Sequence, residues 1–256
     1  MLTESRIAAP APGAHPSLTV VDMVWPDQSN HHGTLFGGAA LAMLDRLAFI
    51  LGSQVLRGSV VTAAVSRLDF ASPAPAGSLV ECRAEVLQRG NRSVTVATRL
   101  VTEDLLSGVR TDCLSGEFVM VRQAGVEAQT CAPGGAHDDG LPPGAGPVVA
   151  VAEIVFPGHS NHRGLLHGGP AMAWIAKAGF VAATRQVRRT VVMASSERMD
   201  FVAPARVGEV VEVRARVVDM GQRSVRVAVA MWSESPVTGL RRLCTSARLV
   251  YVAVDA

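Results

Sequence analysis

One carboxylate stands alone inside an apolar stretch of this chain. Asp45 lies near the middle of residues 36–51, where every other residue except its neighbour Arg46 is apolar or small. A carboxyl group in such surroundings resists ionisation, so its pKa rises into the range that suits a general base for water or, less often, a nucleophile. The alternative for a single aspartate of this kind is a structural role, with its oxygens satisfied by hydrogen bonds.

A second set of polar residues stands directly before another apolar stretch. Asn161 and His167 precede Gly168 and Gly169, and Pro170 follows at a position that suits the first turn of a helix. Backbone N–H groups at a helix start are unpaired and lie at the positive end of the helix dipole. They could polarise a carbonyl and stabilise the oxyanion that forms on attack, an effect of about 3–4 kcal/mol per donor. Glycine there leaves room for the carbonyl to approach.

Both stretches belong to two copies of one unit, separated by a constant offset of 131 residues. The correspondence needs no gap between residues 23 and 122, so the chain contains an internal duplication. The matching elements are Pro26-x-x-Ser29-Asn30-His31-x-Gly33 with Pro157-x-x-Ser160-Asn161-His162-x-Gly164, Gly37-Gly38 with Gly168-Gly169, Asp69-Phe70-x-x-Pro73 with Asp200-Phe201-x-x-Pro204, Gly77 with Gly208, Gly90-x-Arg92-Ser93 with Gly221-x-Arg223-Ser224, and Cys113 with Cys244.

The repeat predicts two domains and two connecting or terminal segments. Residues 1–17 are Pro- and Ala-rich and are predicted to be a disordered leader. The first domain covers residues 18–122 and the second covers residues 148–256. Between them, residues 123–147 are rich in Pro and Gly without apolar periodicity, which indicates a linker. Its length allows the second copy to pack beside the first as a built-in dimer.

Each copy is predicted to contain one buried helix followed by antiparallel strands. The helix extends from Phe36 to about Leu51 in the first copy and from about Gly169 to Ala183 in the second. Because it is apolar on nearly every side, it has to be enclosed by the rest of the domain. A helix wrapped by a curved sheet, an α+β architecture, satisfies this requirement. Strand-like composition covers residues 60–70, 79–87, 93–101 and 110–121, with a hairpin turn at residues 88–92.

These motifs resemble the hotdog-fold acyl-CoA thioesterases. The pattern Asn-x-x-Gly-x-x-(His or Phe)-Gly-Gly, followed by an apolar helix with a central Asp, is similar to that family in both copies. Val61-Thr62 leading to Leu68-Asp69-Phe70-x-x-Pro73-x-x-x-Gly77 is similar to its cytosolic acyl-CoA hydrolases, some of which carry two hotdog domains. The resemblance implies two tandem hotdog domains, each a buried central helix wrapped by a curved antiparallel β-sheet. It also implies a pseudo-dimer with sheets joined edge to edge and roughly antiparallel helices.

The resemblance further implies hydrolysis of acyl-CoA to a free carboxylic acid and CoA, with no cofactor, at the interface between the domains. One domain supplies the Gly-Gly helix start with its Asn and His, and the other supplies the central carboxylate. The catalytic set is then Asp45 with Asn161, His167 and Gly168. Substrate or CoA contacts are expected from Gly169, Thr62, and the two hairpin turns, which contain Gly90, Arg92, Ser93, Gly221, Arg223 and Ser224.

The two copies differ at the positions on which this chemistry depends. Asp45 corresponds to Ala176, and His167 corresponds to Phe36. Pairing the first helix with the second glycine pair therefore gives one complete set of groups. The opposite pairing places Ala176 against Phe36 and is expected to be inactive, although it could still bind CoA.

Simpler roles stand beside these assignments. His167 could merely pack at the helix start, and Asn161 could only brace its loop, as Asn30 has to do in the other half. The turn arginines could be solvated instead of contacting CoA. Some relatives carry Asp or Asn two residues before the element that ends in Gly-Gly, where this chain has Thr34 and Leu165. If that polar group is needed, Asn161 has to replace it.

Two other functions remain open at this point. A hotdog dehydratase acting on 3-hydroxyacyl thioesters would pair His167 with Asp45, and a non-catalytic acyl-CoA-binding protein would need no base. The motif around the glycine pair favours the thioesterase. No Gly-x-Ser-x-Gly element is present, which disfavours an α/β-hydrolase mechanism.

Composition limits the partners. The formal net charge is only +2 and the basic residues are scattered, which argues against nucleic acid. No apolar run approaches the roughly 20 residues that span a bilayer, so no membrane contact is expected. The four cysteines form no close pair, and the spacing of His159, His162 and His167 matches no metal site. A reducing cytoplasm is the expected setting, and the family resemblance suggests a homo-oligomer, a trimer of double-hotdog chains.

Overall fold

The computed structural model describes residues 15–122 and 140–254, which form two copies of one α+β unit. The first comprises β1 (Ser17–Met23), α1 (Gly37–Leu56), β2 (Val60–Val65), β3 (Leu68–Phe70), β4 (Leu79–Arg89), β5 (Ser93–Glu103) and β6 (Arg110–Arg122). The second comprises β7 (Ala145–Ile154), α2 (Gly168–Val187), β8 (Val191–Ser196), β9 (Met199–Phe201), β10 (Val210–Met220), β11 (Ser224–Glu234) and β12 (Arg241–Ala253). A single 3-10 turn precedes each helix, at Pro26–Gln28 and Pro157–His159.

The central helices are longer than the sequence predicts. α1 continues to Leu56 and α2 to Val187, and each ends at an arginine in the left-handed conformation, Arg57 or Arg188. The polar residues of the last turns, such as Ser53 and Gln54, obscure the apolar pattern but do not interrupt the helix. Within each domain the helix packs against the inner face of the sheet, which encloses its apolar side chains.

α1 also qualifies by length and composition as a helix that could cross a membrane. It has 20 residues and a mean hydropathy of 1.5 over its most apolar window. The expectation that no apolar run approaches this length is therefore wrong, because Asp45 and Arg46 are adjacent and leave both flanks uninterrupted. In this fold half of that window is buried inside the protein.

The strands form one continuous twelve-stranded antiparallel sheet. Its main path runs β1-β4-β5-β6-β2-β9-β12-β11-β10-β7, with β3 and β8 pairing alongside the centre. The two domains join where β2 pairs with β9 and β3 pairs with β8. Since β8 and β9 are the counterparts of β2 and β3, the junction is a pseudo-twofold contact. The expectation of edge-to-edge joining is confirmed.

The strands at the two ends of the sheet are not indicated by the sequence. β1 is exposed along most of its length, with the neighbouring Val20 and Val21 44% and 60% exposed, so the alternation typical of a half-buried strand is missing. β7 begins at Ala145, inside the stretch predicted to be linker. Residues 1–14 of the predicted leader and residues 123–139 of the predicted linker lie outside the described residues.

The second glycine of each pair lets the two helices pack closely. A Cβ added to Gly38 would lie 2.8 Å from the Cα of Ala173, and one added to Gly169 would lie 3.1 Å from the Cα of Ala42. The start of each helix thus contacts the first half of the other, as in an antiparallel pair. This close approach sets the distance between the domains, and with it the position of Asp45 relative to the opposite helix start.

Gly38→Ala is therefore expected to destabilise the fold by about 1–3 kcal/mol, because the added methyl meets backbone that can move only if the helices separate. Gly58→Ala is the matched control, since the nearest atom to its added Cβ, Arg122 Nε, is 3.8 Å away. Urea unfolding of both variants measures the difference. Equal stability of the two variants would contradict the tight helix contact.

Candidate active site

Asp45 lies buried at the interface of the two domains, where both of its carboxylate oxygens accept a hydrogen bond. It belongs to α1, and only 1% of the residue is exposed. Thr62 Oγ1, from β2 of the same domain, donates to Oδ1 at 2.6 Å. The backbone N–H of Gly169, from the start of α2 in the other domain, donates to Oδ2 at 2.7 Å. The carboxylate is thus held by one group from each domain.

The surroundings of Asp45 raise the pKa of its carboxyl group. Burial raises its pKa from 3.8 to about 6, while the hydrogen bonds from Thr62 and Gly169 and the positive charge of Arg46 oppose that rise. With such a pKa the group is mainly ionised at neutral pH yet accepts a proton far more readily than an exposed aspartate. These are the properties of a general base.

The two glycines at the start of α2 make room for the Asp45 carboxylate and donate a hydrogen bond to it. A Cβ on Gly168 would lie 2.6 Å from Asp45 Oδ1 and 2.7 Å from Thr62 Oγ1, so the missing side chain makes room for these two groups. The Gly169 N–H, expected to face substrate, is bonded to Asp45 instead. The Gly168 N–H has no protein acceptor within the described part of the chain. It is the backbone donor available at this helix start.

Asn161 braces its loop with one end of its amide and leaves the other end unpaired. Its Oδ1 accepts from the N–H groups of Arg163 and Leu165 at 2.9 and 3.2 Å. In the first domain, Asn30 makes the same contacts and also donates from Nδ2 to Thr34 Oγ1 at 3.0 Å. Leu165 replaces that threonine, so among the described residues the Asn161 Nδ2 has no such acceptor. The presence of Leu165 in place of a polar residue therefore leaves a hydrogen-bond donor free beside Gly168.

His167 directly precedes α2, and its side chain makes no capping hydrogen bond to the first turn of that helix. Its ring packs edge-on against Phe49 of the other domain, with ring centroids 4.7 Å apart. Partial burial lowers the pKa of His167, and the positive charge of Arg46 and nearby His162 lower it further. The imidazole is therefore neutral at neutral pH.

These groups line one cavity, hereafter the His167 cavity, of about 260 Å³. Thr62, Asn161, His167 and Gly168 supply its polar surface. Asp45 lies immediately beneath that surface, behind Thr62 and Gly168. Apolar side chains from both domains form the remaining wall: Phe49, Val60, Val61, Leu165, Leu166, Ala171, Phe201, Val202, Ala203, Pro204, Ala205 and Met231.

The pseudo-equivalent position holds a second cavity, hereafter the Phe36 cavity, of about 470 Å³. Phe36 and Ala176 line it, as the sequence comparison of the two copies predicts. The structure adds a third difference, because Met193 stands where the first domain has Thr62. Its Cε would lie 2.7 Å from a Cβ on Gly37, in the space that Asp45 and Thr62 occupy on the other side. The offset between the copies contains this signal, but the role of Thr62 becomes clear only from its contact with Asp45.

The two hairpin turns lie away from both cavities. Gly90 and Gly221 donate to the carbonyls of Ser93 and Ser224 within the turns, each at 2.8 Å. The described residues that line the cavities include none of the turn residues Gly90, Arg92, Ser93, Gly221, Arg223 and Ser224. A role in binding the distant part of CoA remains a prediction for them.

Comparison with known proteins identifies the family. The thioesterase superfamily matches residues 32–108 and 163–240, more than half of the chain. The chain belongs to the thioesterase superfamily. The resemblance recognised in the sequence and the tandem hotdog fold are thereby confirmed. Superfamily members with these folds differ in substrate, so the match alone does not assign one.

This superfamily member is similar to several individual proteins. It is 34% identical over 116 residues to the cytosolic acyl coenzyme A thioester hydrolase of Rattus norvegicus, covering 43% of this chain but 30% of that protein. It is 37% identical to an acyl-CoA hydrolase of Agrobacterium tumefaciens, covering 94% of this chain and 96% of that one, with a TM-score of 0.42. An acyl-ACP thioesterase of Bacteroides thetaiotaomicron is 11% identical, covers 92% and 97%, and shares the fold with a TM-score of 0.59.

One wall of the His167 cavity is braced by a charged network that the sequence does not indicate. Arg242 donates to Pro204 O at 3.0 Å and to both oxygens of the largely buried Glu209 at 2.5 Å. Glu209 also accepts from Ser233 and from the Arg206 N–H. These hydrogen bonds hold the loop after β9 in this superfamily member. The first domain has Ser78 and Thr111 at the positions of Glu209 and Arg242, so this brace has no counterpart beside the pseudo-equivalent cavity.

The histidines near the site do not gather as metal ligands. His159 accepts a hydrogen bond from the Phe156 N–H and packs edge-on against Trp174, while His162 is exposed. Within residues 15–122 and 140–254, no three His, Cys, Asp or Glu side chains form a group that could hold a metal ion.

The raised pKa of Asp45 predicts a pH-dependent contribution to stability. The folded state binds the proton more tightly than the unfolded state, with a pKa of about 6 against 3.8. The resulting stabilisation is fully present below about pH 3.8 and is lost as the pH rises through about 6. Between neutral pH and about pH 4, the protein should gain about 2–3 kcal/mol of unfolding free energy relative to Asp45→Asn.

Urea unfolding of both proteins across this pH range measures the gain. Asp69→Asn is the control, because Asp69 lies in an exposed ion pair with Arg67, and such surface pairs contribute little to stability. A difference between the wild type and Asp45→Asn that does not change with pH would show that Asp45 titrates as freely in the folded as in the unfolded chain.

Proposed function

We propose that this chain hydrolyses acyl-CoA thioesters to a free carboxylic acid and CoA at a single composite site, the His167 cavity. The main support is the arrangement around Asp45. This buried carboxylate accepts hydrogen bonds from Thr62 of its own domain and from the Gly169 N–H of the other domain. It lies beneath a cavity that contains unpaired hydrogen-bond donors. Relatives named as acyl-CoA hydrolases support the substrate class. The chain spans only 30% of the rat protein's length, so its activity rests on the site itself.

The attack on the thioester needs a base and a donor to the carbonyl oxygen. Water bound in the cavity loses its proton as it attacks the carbonyl carbon, and the Thr62 hydroxyl stands between the cavity and the carboxylate. Thr62 accepts that proton while it donates its own to Asp45 Oδ1, which leaves Asp45 protonated and Thr62 unchanged. The Gly168 N–H and the Asn161 Nδ2 are the donors placed to stabilise the oxyanion, and His167 acts as a neutral hydrogen-bonding group.

Collapse of the tetrahedral intermediate breaks the carbon–sulfur bond. CoA leaves as a thiolate that takes up a proton, Asp45 returns its proton to solvent, and the carboxylic acid is released. No metal or further cofactor takes part in this scheme. Hydrolysis through a covalent anhydride on Asp45 would require its oxygens to reach the cavity, whereas both oxygens are occupied by hydrogen bonds and only 1% of the residue is exposed.

The geometry disfavours dehydration of 3-hydroxyacyl thioesters. That reaction would use His167 and Asp45 as a cooperating pair. In the part of the chain that the structure describes, the two side chains share no hydrogen bond, and His167 packs on Phe49 instead. Free-thiol release without enoyl formation is the result that separates the two reactions. Tight binding of acyl-CoA with no thiol release would indicate a non-catalytic binding protein.

Asp45→Asn should lower kcat by roughly 10²–10⁴ while the fold is retained, because the amide cannot accept the proton. Phe36→His, the reciprocal change in the Phe36 cavity, is the control and should neither add nor remove activity. Thiol release from acyl-CoA of several chain lengths and one aromatic ester measures both variants. Near-normal turnover by Asp45→Asn would exclude the proposed base.

Restoring activity to the second site should need all three missing groups. Ala176→Asp alone places a carboxylate beside Met193, which cannot donate a hydrogen bond to it. In the Asp45→Asn background, the combination Phe36→His, Ala176→Asp and Met193→Thr is expected to recover part of the lost activity. Recovery by Ala176→Asp alone would show that the threonine is dispensable.

We also propose that the protein is cytoplasmic and that double-domain chains assemble further, as a trimer. Matching apolar side chains remain exposed in both domains near the outer strands: Trp25 is 50% exposed and its counterpart Phe156 is 56% exposed. Contact with further chains would remove both side chains from water. Light scattering should give about three times the chain mass of 26.8 kDa. A species of one chain mass would contradict the assembly but not the active site.

A further inference from the structure

The Phe36 cavity lacks the groups for hydrolysis but has kept its volume. At about 470 Å³ it is larger than the His167 cavity and falls in the roughly 300–1,000 Å³ range of small-molecule sites. Leu100, Leu114 and Val191 belong to its largely apolar wall. A cavity without a function would be expected to fill with larger side chains, because empty apolar space costs stability. Here the cavity stays open, with the small Ala176 at the position of Asp45.

A basic depression adjoins this cavity. Arg185, Arg188 and Arg189, hereafter the arginine cluster, lie at the end of α2 and line a second depression of about 590 Å³ with His31. The two spaces share Phe180 and Val254. Among the described residues that line either space there is no Asp or Glu. Positive charge is therefore concentrated at one end of an apolar cavity.

The arginine cluster is specific to the inactive half. The corresponding residues of the first domain are Gln54, Arg57 and Gly58, so only one of the three positions carries a charge there. Arg185 and Arg188 are exposed, and neither forms an ion pair with any residue in the described ranges. Two guanidinium groups are thus available to an anion beside the cavity that lost its base. Loss of catalysis and gain of positive charge occur on the same side of the molecule.

We infer that the Phe36 cavity and the arginine cluster form a second, non-hydrolytic site for an apolar chain with an anionic head group. The chain would lie in the Phe36 cavity and the head group on the arginines. An unreacted acyl-CoA, through its phosphates, and the carboxylate of a released fatty acid share this chemistry. The choice of an acyl chain rests on the proposed function, whereas the preference for an apolar anion rests on the cavity and its charges.

Calorimetric titration with S-decyl-CoA tests the inference, because this thioether cannot be hydrolysed. The chain offers a matched pair of blocking variants at the cavity rims: Ala71→Trp for the Phe36 cavity and Val202→Trp for the His167 cavity. Both residues are exposed cavity-lining positions related by the repeat, so neither change should disturb the core. The wild type is expected to bind two molecules per chain and each variant one. Only Val202→Trp should lose thiol release.

The arginines are tested in the Val202→Trp background, where the remaining binding belongs to the second site. Arg185→Gln combined with Arg188→Gln should weaken that binding about tenfold or more, since charge-assisted hydrogen bonds to the head group are lost. Arg57→Gln, the counterpart of Arg188 in the active half, should leave it unchanged. Parallel titration with decanoate distinguishes the source: binding of decanoate identifies the product acid as a ligand, and binding of S-decyl-CoA alone identifies the thioester.

One molecule bound per wild-type chain, or two bound to Ala71→Trp, would overturn the inference. So would binding in Val202→Trp that is indifferent to the arginine changes. Failure of the proposed function gives a different result. It appears as a wild type that releases no thiol, or as thiol release that survives Asp45→Asn, and it leaves the binding stoichiometry of S-decyl-CoA untouched.

Discussion

The hydrogen bonds to one buried carboxylate connect every part of this structure. Asp45 is enclosed where charge is costly, and it stays there because Thr62 donates to one oxygen and the Gly169 N–H to the other. The first donor belongs to the same domain and the second to the other domain. The site therefore exists only when the two domains are docked, and the docking depends on helices that approach as closely as glycine allows. The same contacts therefore set the position of the carboxylate and the packing of the two domains.

Duplication within a single chain explains how one site could be lost without the other. Two identical chains would have to carry the same residues at both interfaces, whereas tandem copies can change independently. The side of the Phe36 cavity has Ala176, Met193 and Phe36 where the other side has Asp45, Thr62 and His167. Only the side of the His167 cavity has the Glu209–Arg242 brace, and there Leu165 leaves the Asn161 Nδ2 free. Each copy has thus specialised, one helix supplying the carboxylate and the other supplying its helix start.

Much of the architecture can be predicted from the sequence, because the same pattern occurs in both copies. The buried helices, the hairpin turn at residues 88–92 and the two pairings of a helix with the opposite glycine pair all follow from residue type and the offset of the copies. β1 and β7 do not, because β1 lacks the alternation of buried and exposed residues and β7 begins within a Pro- and Gly-rich stretch. The ends of the helices are obscured by exposed polar residues that the helix tolerates.

The candidate site was predictable in composition but not in its contacts. Residue types identify Asp45, His167 and the glycines as candidates for a general base and for hydrogen-bond donors. They do not reveal that Gly168 makes room for Asp45, or that Gly169 donates to the carboxylate instead of to a carbonyl. Such contacts arise between residues 124 positions apart and depend on the helix separation. The Glu209–Arg242 pair cannot be predicted from the sequence either, because its residues are distant in the chain and the repeat has no charged residue at either counterpart.

The most direct test of the account is the pH dependence of kcat for acyl-CoA hydrolysis. If Asp45 is the base, the rate should rise with pH through a single ionisation near pH 6 and remain level above it, because only the carboxylate accepts the proton. Thr62→Val removes a hydrogen bond that favours the ionised form, so it should move this ionisation to higher pH and lower the plateau, while Thr62→Ser should restore both. A rate that does not vary between about pH 5 and 8, or a profile unchanged by Thr62→Val, would contradict the central role of the Asp45 carboxylate.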